Sequence, residues 1–131
     1  MTHQRIRHTA SCVLLLGLLA CGCGRGKATS ELERAVTNMT ALLKQDRVEE
    51  FLAAYVRPEV LARYKERPGR YDRFLRDFRE KEQAGLLADL QHAASLEPQI
   101  NEQRTMADFA GQALSRTRRF VRIEGRWYIL L

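Results

Sequence analysis

Arg119-Phe-Val-Arg-Ile-Glu-Gly-Arg-Trp-Tyr-Ile-Leu-Leu131 closes the chain, and the rest of the fold has to be arranged around it. Two runs of β-favouring residues flank Glu124-Gly125, which predicts a hairpin. With a two-residue loop, Ile123 faces Arg126, Arg122 faces Trp127, Val121 faces Tyr128 and Phe120 faces Ile129. One face then carries Phe120, Trp127, Ile129 and Leu131, with Arg122 placed over the indole ring. The other carries Val121, Ile123, Tyr128 and Leu130. A three-residue loop with a bulge at Gly125 is the alternative, because Glu suits a type I′ turn less well than Asn or Asp. It would slip the register by one while each strand still alternates.

Both faces of this hairpin are apolar, whereas a sheet with one wet side alternates cleanly. One face packs on helices; the second needs a ligand cavity, a partner or a dimer mate. The candidate ligand or partner face is Phe120, Arg122, Trp127 and Ile129, joined by Asp108 from the preceding strand.

Working backwards, Arg104 to Ala110 alternates, with Ala107 and Phe109 facing one way and Met106 and Asp108 the other. Pro98-Gln99-Ile100 reads as a short edge strand, where proline is tolerated, and Asn101-Glu102 as a turn. Residues 111–114 read as a loop. Everything upstream is helical. Ser30-Glu-Leu-Glu33 has the form of a capping box, followed by Leu32, Val36, Met39 and Leu43 at helical spacing to about Lys44. Asp46 with Glu49 repeats that pattern ahead of Val48, Phe51, Leu52 and Tyr55. Arg57-Pro58 ends this second helix, and Pro58 starts a third with Val60, Leu61 and Tyr64 on its apolar side. After Pro68-Gly69, the residues Tyr71, Phe74, Leu75 and Phe78 recur at i, i+3, i+4 and i+7. Leu86, Leu87, Leu90 and Ala94 continue or restart the helix, with Gly85 as the weak point between. The order predicts an α+β fold: three to four helices packed on a short antiparallel sheet of three to four strands.

The chain has 131 residues, 45% hydrophobic and 29% charged, which fits one globular domain with a modest core. Its net charge is +6, or +4 without Arg5 and Arg7, and both signs are interspersed. That balance does not point to nucleic acid. Arg67, Arg70, Arg73, Arg76 and Arg79 recur every three residues. A period of three drifts about 60° per step around a helix, so these side chains spiral over a solvated surface among Asp72, Asp77 and Glu80.

At the N-terminus, Arg5 and Arg7 precede the apolar run Cys12-Val-Leu-Leu-Leu-Gly-Leu-Leu-Ala20, too short to span a bilayer as a mature helix. The run ends in Leu18-Leu19-Ala20-Cys21, which resembles a bacterial lipobox. That resemblance implies a signal peptide over 1–20, cleavage before Cys21, diacylation of the Cys21 thiol and usually acylation of the new amino terminus. Several alkyl chains supply the anchors that stable membrane attachment requires. An ordinary secretion signal cleaved near Ala20 or Gly22 is the other reading. Gly22 after the cysteine, by resemblance to Gram-negative lipoproteins, implies the outer membrane, facing the periplasm. Residues 21–29 read as the lipidated cysteine and a flexible tether reaching about 15 Å, with Arg25 and Lys27 near anionic headgroups.

All three cysteines, Cys12, Cys21 and Cys23, lie at the front, so no disulfide framework is expected. Cys21-Gly-Cys23 has no His or Cys downstream at ligand spacing, and neither a metal nor another cofactor is expected.

Phe51-Leu-Ala-Ala-Tyr55 leading into Pro58-Glu59, the run Phe74 to Phe78, and Phe120-Val-Arg-Ile-Glu-Gly-Arg-Trp-Tyr-Ile129 together resemble the nuclear-transport-factor-2-like (cystatin-like) superfamily. Among its members the chain is most similar to small bacterial lipoproteins that carry such a domain, here over 30–131. The resemblance implies a curved sheet wrapped on helices, with a cavity between them. Enzymatic members hold an acid–base pair in that cavity, often Asp with His or Tyr. His92 turns off the apolar line of its helix, and Tyr55 and Tyr64 read as core tyrosines with one wet end. Asp108 is the residue such a pair would use, and as a base it would need a raised pKa and a partner in reach. No Ser-His-Asp set, phosphate-binding Gly-rich loop or HExxH spacing is present. The expectation is a lipid-anchored, non-catalytic cell-envelope module binding a protein or small apolar ligand, with a homodimer through the sheet among its partners. An isomerase or dehydratase-type enzyme with an acid–base residue in the cavity is the alternative.

Overall fold

The computed structural model describes residues 23–131. Helix α1 (Cys23–Lys44) buries Leu32, Val36, Met39 and Leu43, as the periodicity predicts, and adds Ala28 and Ala35 to the same stripe. Residues 23–29, expected as a tether, are the first turns of this helix, so Ser30 lies inside it and is not its cap. The helix ends in a Schellman motif. Asp46 adopts φ +55°, its N–H bonds the Leu43 carbonyl, and the Arg47 N–H bonds the Leu42 carbonyl. Asp46 is thus spent on ending α1 and does not cap α2 (Val48–Tyr55), whose N-cap is Arg47 without a side-chain cap bond.

Helix α2 buries Val48, Phe51 and Leu52, and α3 (Pro58–Lys65) begins at the proline, as expected. Gly69, at φ +73°, turns the chain into α4 (Arg70–Asp77). A π turn (Phe78–Glu82) carries α4 directly into α5 (Gln83–Ala93), with no break at Gly85. In an uninterrupted α-helix, eight residues would leave Phe78 and Leu86 about 80° apart. The wider turn removes most of that angle, and both side chains are buried.

Strands β1 (Gln99–Ile100), β2 (Met106–Phe109), β3 (Arg118–Ile123) and β4 (Arg126–Leu130) form an antiparallel meander in sequence order. Between β1 and β2 the Asn101 side chain accepts the N–H groups of Thr105 (2.8 Å) and Met106 (2.9 Å), which fixes that turn. The closing hairpin has the two-residue loop: Ile123 pairs with Arg126, Arg122 with Trp127, Val121 with Tyr128 and Phe120 with Ile129. Glu124 and Gly125 take φ +49° and +77°, the signs a type I′ turn requires. Ala107, Phe109, Phe120, Trp127 and Ile129 point at the helices and complete the core, where the Phe109 and Phe120 rings meet edge to face at 5.7 Å.

Glu124 holds a left-handed conformation that asparagine adopts more readily. Glu124→Asn should therefore raise stability by about 0.5–1 kcal/mol in urea unfolding of the full chain, without changing the m-value.

Candidate functional site

The register decides which side chains stand on the uncovered face of the sheet. Met106, Val121 and Tyr128 form one row across β2, β3 and β4, and Asp108, Arg119 and Leu130 form the next. Ile123 and Arg126 close the face at the hairpin end. Met106 and Ile123 are 36% and 39% exposed, while Val121, Tyr128 and Leu130 are half-buried, and the helices lie on the opposite side. The Arg126 guanidinium lies 5.8 Å from the Tyr128 ring centroid.

Asp108 is held on this face by Arg119, whose Nε and Nη2 donate to Oδ1 and Oδ2, both at 2.8 Å. The hydrogen bonds from Arg119, with its charge, outweigh partial burial and hold the carboxyl below its usual range. A paired, ionised carboxylate in this position accepts hydrogen bonds, and five concavities of the described residues are lined without it.

The five residues expected to form one binding face therefore separate. Phe120, Trp127 and Ile129 are core residues beneath the helices, each 4% exposed or less. Arg122 is on their side, but it reaches Glu31 of α1, and no Arg122 contact with the indole is among the cation–π pairs of the described residues. Asp108 stands on the opposite face. The reason is the two-fold periodicity of a strand: once the helices cover the Phe120 side, only the Val121 side remains open. Cys21, the expected lipidation site, lies outside the described residues.

The other singled-out residues take simpler places. His92 is exposed on α5, and Tyr55 and Tyr64 are half-buried. The five regularly spaced arginines are all exposed; Arg79 approaches Asp46 at 3.9 Å, and Arg70 lies 5.5 Å from the Tyr64 ring centroid.

A buried polar cluster was not anticipated. Asp89 and Arg118 are each 2% exposed. Asp89 Oδ1 accepts the Ser115 N–H at 2.8 Å, and Oδ2 accepts Ser115 Oγ–H at 2.6 Å and Arg118 Nε–H at 2.7 Å. Burial pushes the carboxyl upward, but the bonds from Ser115 and Arg118 more than offset this and hold it below its usual range. The cluster ties α5 to the loop before β3 and to β3 itself. Its signal was present in the sequence: Leu86, Asp89, Leu90 and Ala93 stand at i, i+3, i+4 and i+7, so an acidic residue sits in an apolar stripe.

At the hairpin end a notch of about 230 Å³ opens between α1, the end of α2 and the β3–β4 turn. Glu31, Arg34 and Asn38 line it from α1, Tyr55 from α2, and Trp127 from β4.

Comparison with protein-family models, curated proteins and solved structures found no match to this chain. Among the described residues, no three His, Cys, Asp or Glu side chains are placed to hold a metal ion, and no helix is long and apolar enough to cross a membrane.

Proposed function

We propose that this chain is a lipid-anchored, non-catalytic module of the bacterial cell envelope that binds a partner protein through the open face of its sheet. The observation that carries the reading is the row Met106, Val121 and Tyr128, continued by Ile123 and Leu130 and left uncovered by the helices. A sheet face meant only for water would carry polar residues there. The one ion pair on that face, Asp108 with Arg119, is internally neutral, so the surface presents an apolar centre with a polar border, as protein interfaces do. The partner is an envelope protein or a second copy of the chain. The lipobox-like Leu18-Leu19-Ala20-Cys21 supports removal of residues 1–20 and attachment through Cys21, at the outer membrane facing the periplasm. Helices followed by a meander ending in Gly125-Arg-Trp-Tyr-Ile129 support a nuclear-transport-factor-2-like domain.

The test uses the full chain in a bacterial host with a photo-crosslinking residue at Tyr128 or, as a control, at exposed His92. A discrete adduct in the membrane fraction from position 128 alone is the expected result, with acyl mass on a fragment beginning at Cys21. Cys21→Ser should move the protein to the soluble fraction. Equal adducts from both positions, or none, would remove the sheet face as the binding surface.

A further inference from the structure

The notch at the hairpin end is a separate site from the sheet face, and its chemistry is specific. Several donor groups gather at or beside it, the Arg126 guanidinium among them. Arg34 and Asn38 stand one turn apart on α1 and have no side-chain partner among the described residues. Trp127 lines the notch and is 4% exposed, yet its indole N–H is buried with no acceptor. Arg122, paired through Nη2 with Glu31 of the same notch, likewise has a buried Nε–H without an acceptor. Buried donors left unpaired are costly, and native structures rarely keep two in one place without an acceptor to satisfy them.

The charge points the same way. Glu31 is the only carboxylate lining the notch, and Arg122 neutralises it. Arg34 and Arg126 then leave the site positive, and Arg34 offers a planar fork suited to a two-oxygen acid. Ala35, Ala54 and Trp127 supply an apolar wall. At roughly 30 Å³ per water, 230 Å³ is the space of about seven or eight waters, enough for a small ring or short chain with its acid group.

We infer that this notch binds a small carboxylate with an apolar body, its acid group on Arg34 and the buried donors beside Trp127, its body against the alanines and the indole. The chain has one tryptophan, so its own fluorescence reports on the site. Titration of the purified full chain with benzoate, at constant ionic strength held with chloride, should change the emission saturably. Acetate, without an apolar body, and inorganic phosphate, an anion without one, should each bind at least 5-fold more weakly.

Arg34 is exposed on its helix and is itself in none of the ion pairs of the described residues, so Arg34→Gln folds, and it should weaken benzoate at least 10-fold. Arg73→Gln on α4, equally exposed and equally charged, should leave it unchanged. Trp127→Phe, followed by calorimetry, should weaken binding about 5-fold by removing the indole N–H while keeping an aromatic ring. No saturable change with benzoate overturns the inference. So does equal loss in Arg34→Gln and Arg73→Gln, which would mean diffuse charge attraction, and so does phosphate binding as tightly as benzoate, which would leave the apolar wall without a role.

Discussion

Asp89→Ala should destabilise the domain by about 3–5 kcal/mol, the largest single effect expected of any polar residue in the described chain. The loss comes less from the ion pair itself than from what remains after its removal. Arg118 stays 2% exposed, with its guanidinium stripped of its counter-charge, and the Ser115 N–H and hydroxyl lose their acceptor. Urea unfolding of the full chain measures this directly. A paired replacement, Asp89→Leu with Arg118→Met, should recover most of the stability, because two apolar side chains of similar size leave no charge buried. If Asp89→Ala costs under 1 kcal/mol, the cluster is not a buried one in solution.

The same residue sets an acid limit. Its carboxyl titrates lower in the folded chain than in the unfolded one, so its contribution is complete above the unfolded value of about 3.9 and is lost as pH falls through the lower, folded value. The stability gap between wild type and Asp89→Ala should accordingly be constant from pH 5 upward and narrow below about pH 4.

The second large effect belongs to the covered face of the sheet. Phe120→Ala should cost about 3–5 kcal/mol, since the ring is fully buried, packed edge to face on Phe109 and sealed by the helices. Ile123→Thr, three residues on and on the opposite face, should stay within about 0.5 kcal/mol. This pair of variants tests which face of the sheet the helices cover. A slip of one residue, as a three-residue loop would produce, changes the pairing across the hairpin. A reversal of the covered face would exchange the two results.

Much of this architecture was readable from local chemistry. Glu124-Gly125 between β-favouring runs placed the hairpin, and the alternation of Met106, Ala107, Asp108 and Phe109 placed the strand beside it. The helices followed from their apolar spacing, with Pro58 and Gly69 as boundaries. Two misreadings of the helix ends share one cause, which is that a capping residue has more than one use. Ser30 has the form of an N-cap, but the helix begins upstream at Cys23, where Ala28 gains burial by extending it. Asp46 has the same form, but an aspartate also tolerates φ > 0, and here it ends α1. Short-range signals name candidates, and the surrounding packing selects among their uses.

The candidate site divides in the same way. Periodicity alone assigned Val121, Ile123, Tyr128 and Leu130 to one face and Phe120, Trp127 and Ile129 to the other, because a strand alternates whatever surrounds it. Which face meets the helices depends on how α1, α2 and α5 pack, and no stretch of strand sequence carries that information when both faces are apolar. The Asp89–Arg118 pair joins residues 29 apart in sequence, and the Arg122–Glu31 pair residues 91 apart. Spacing along a helix or strand shows that a charge lies in an apolar stripe; only the folded chain brings the opposite charge to it.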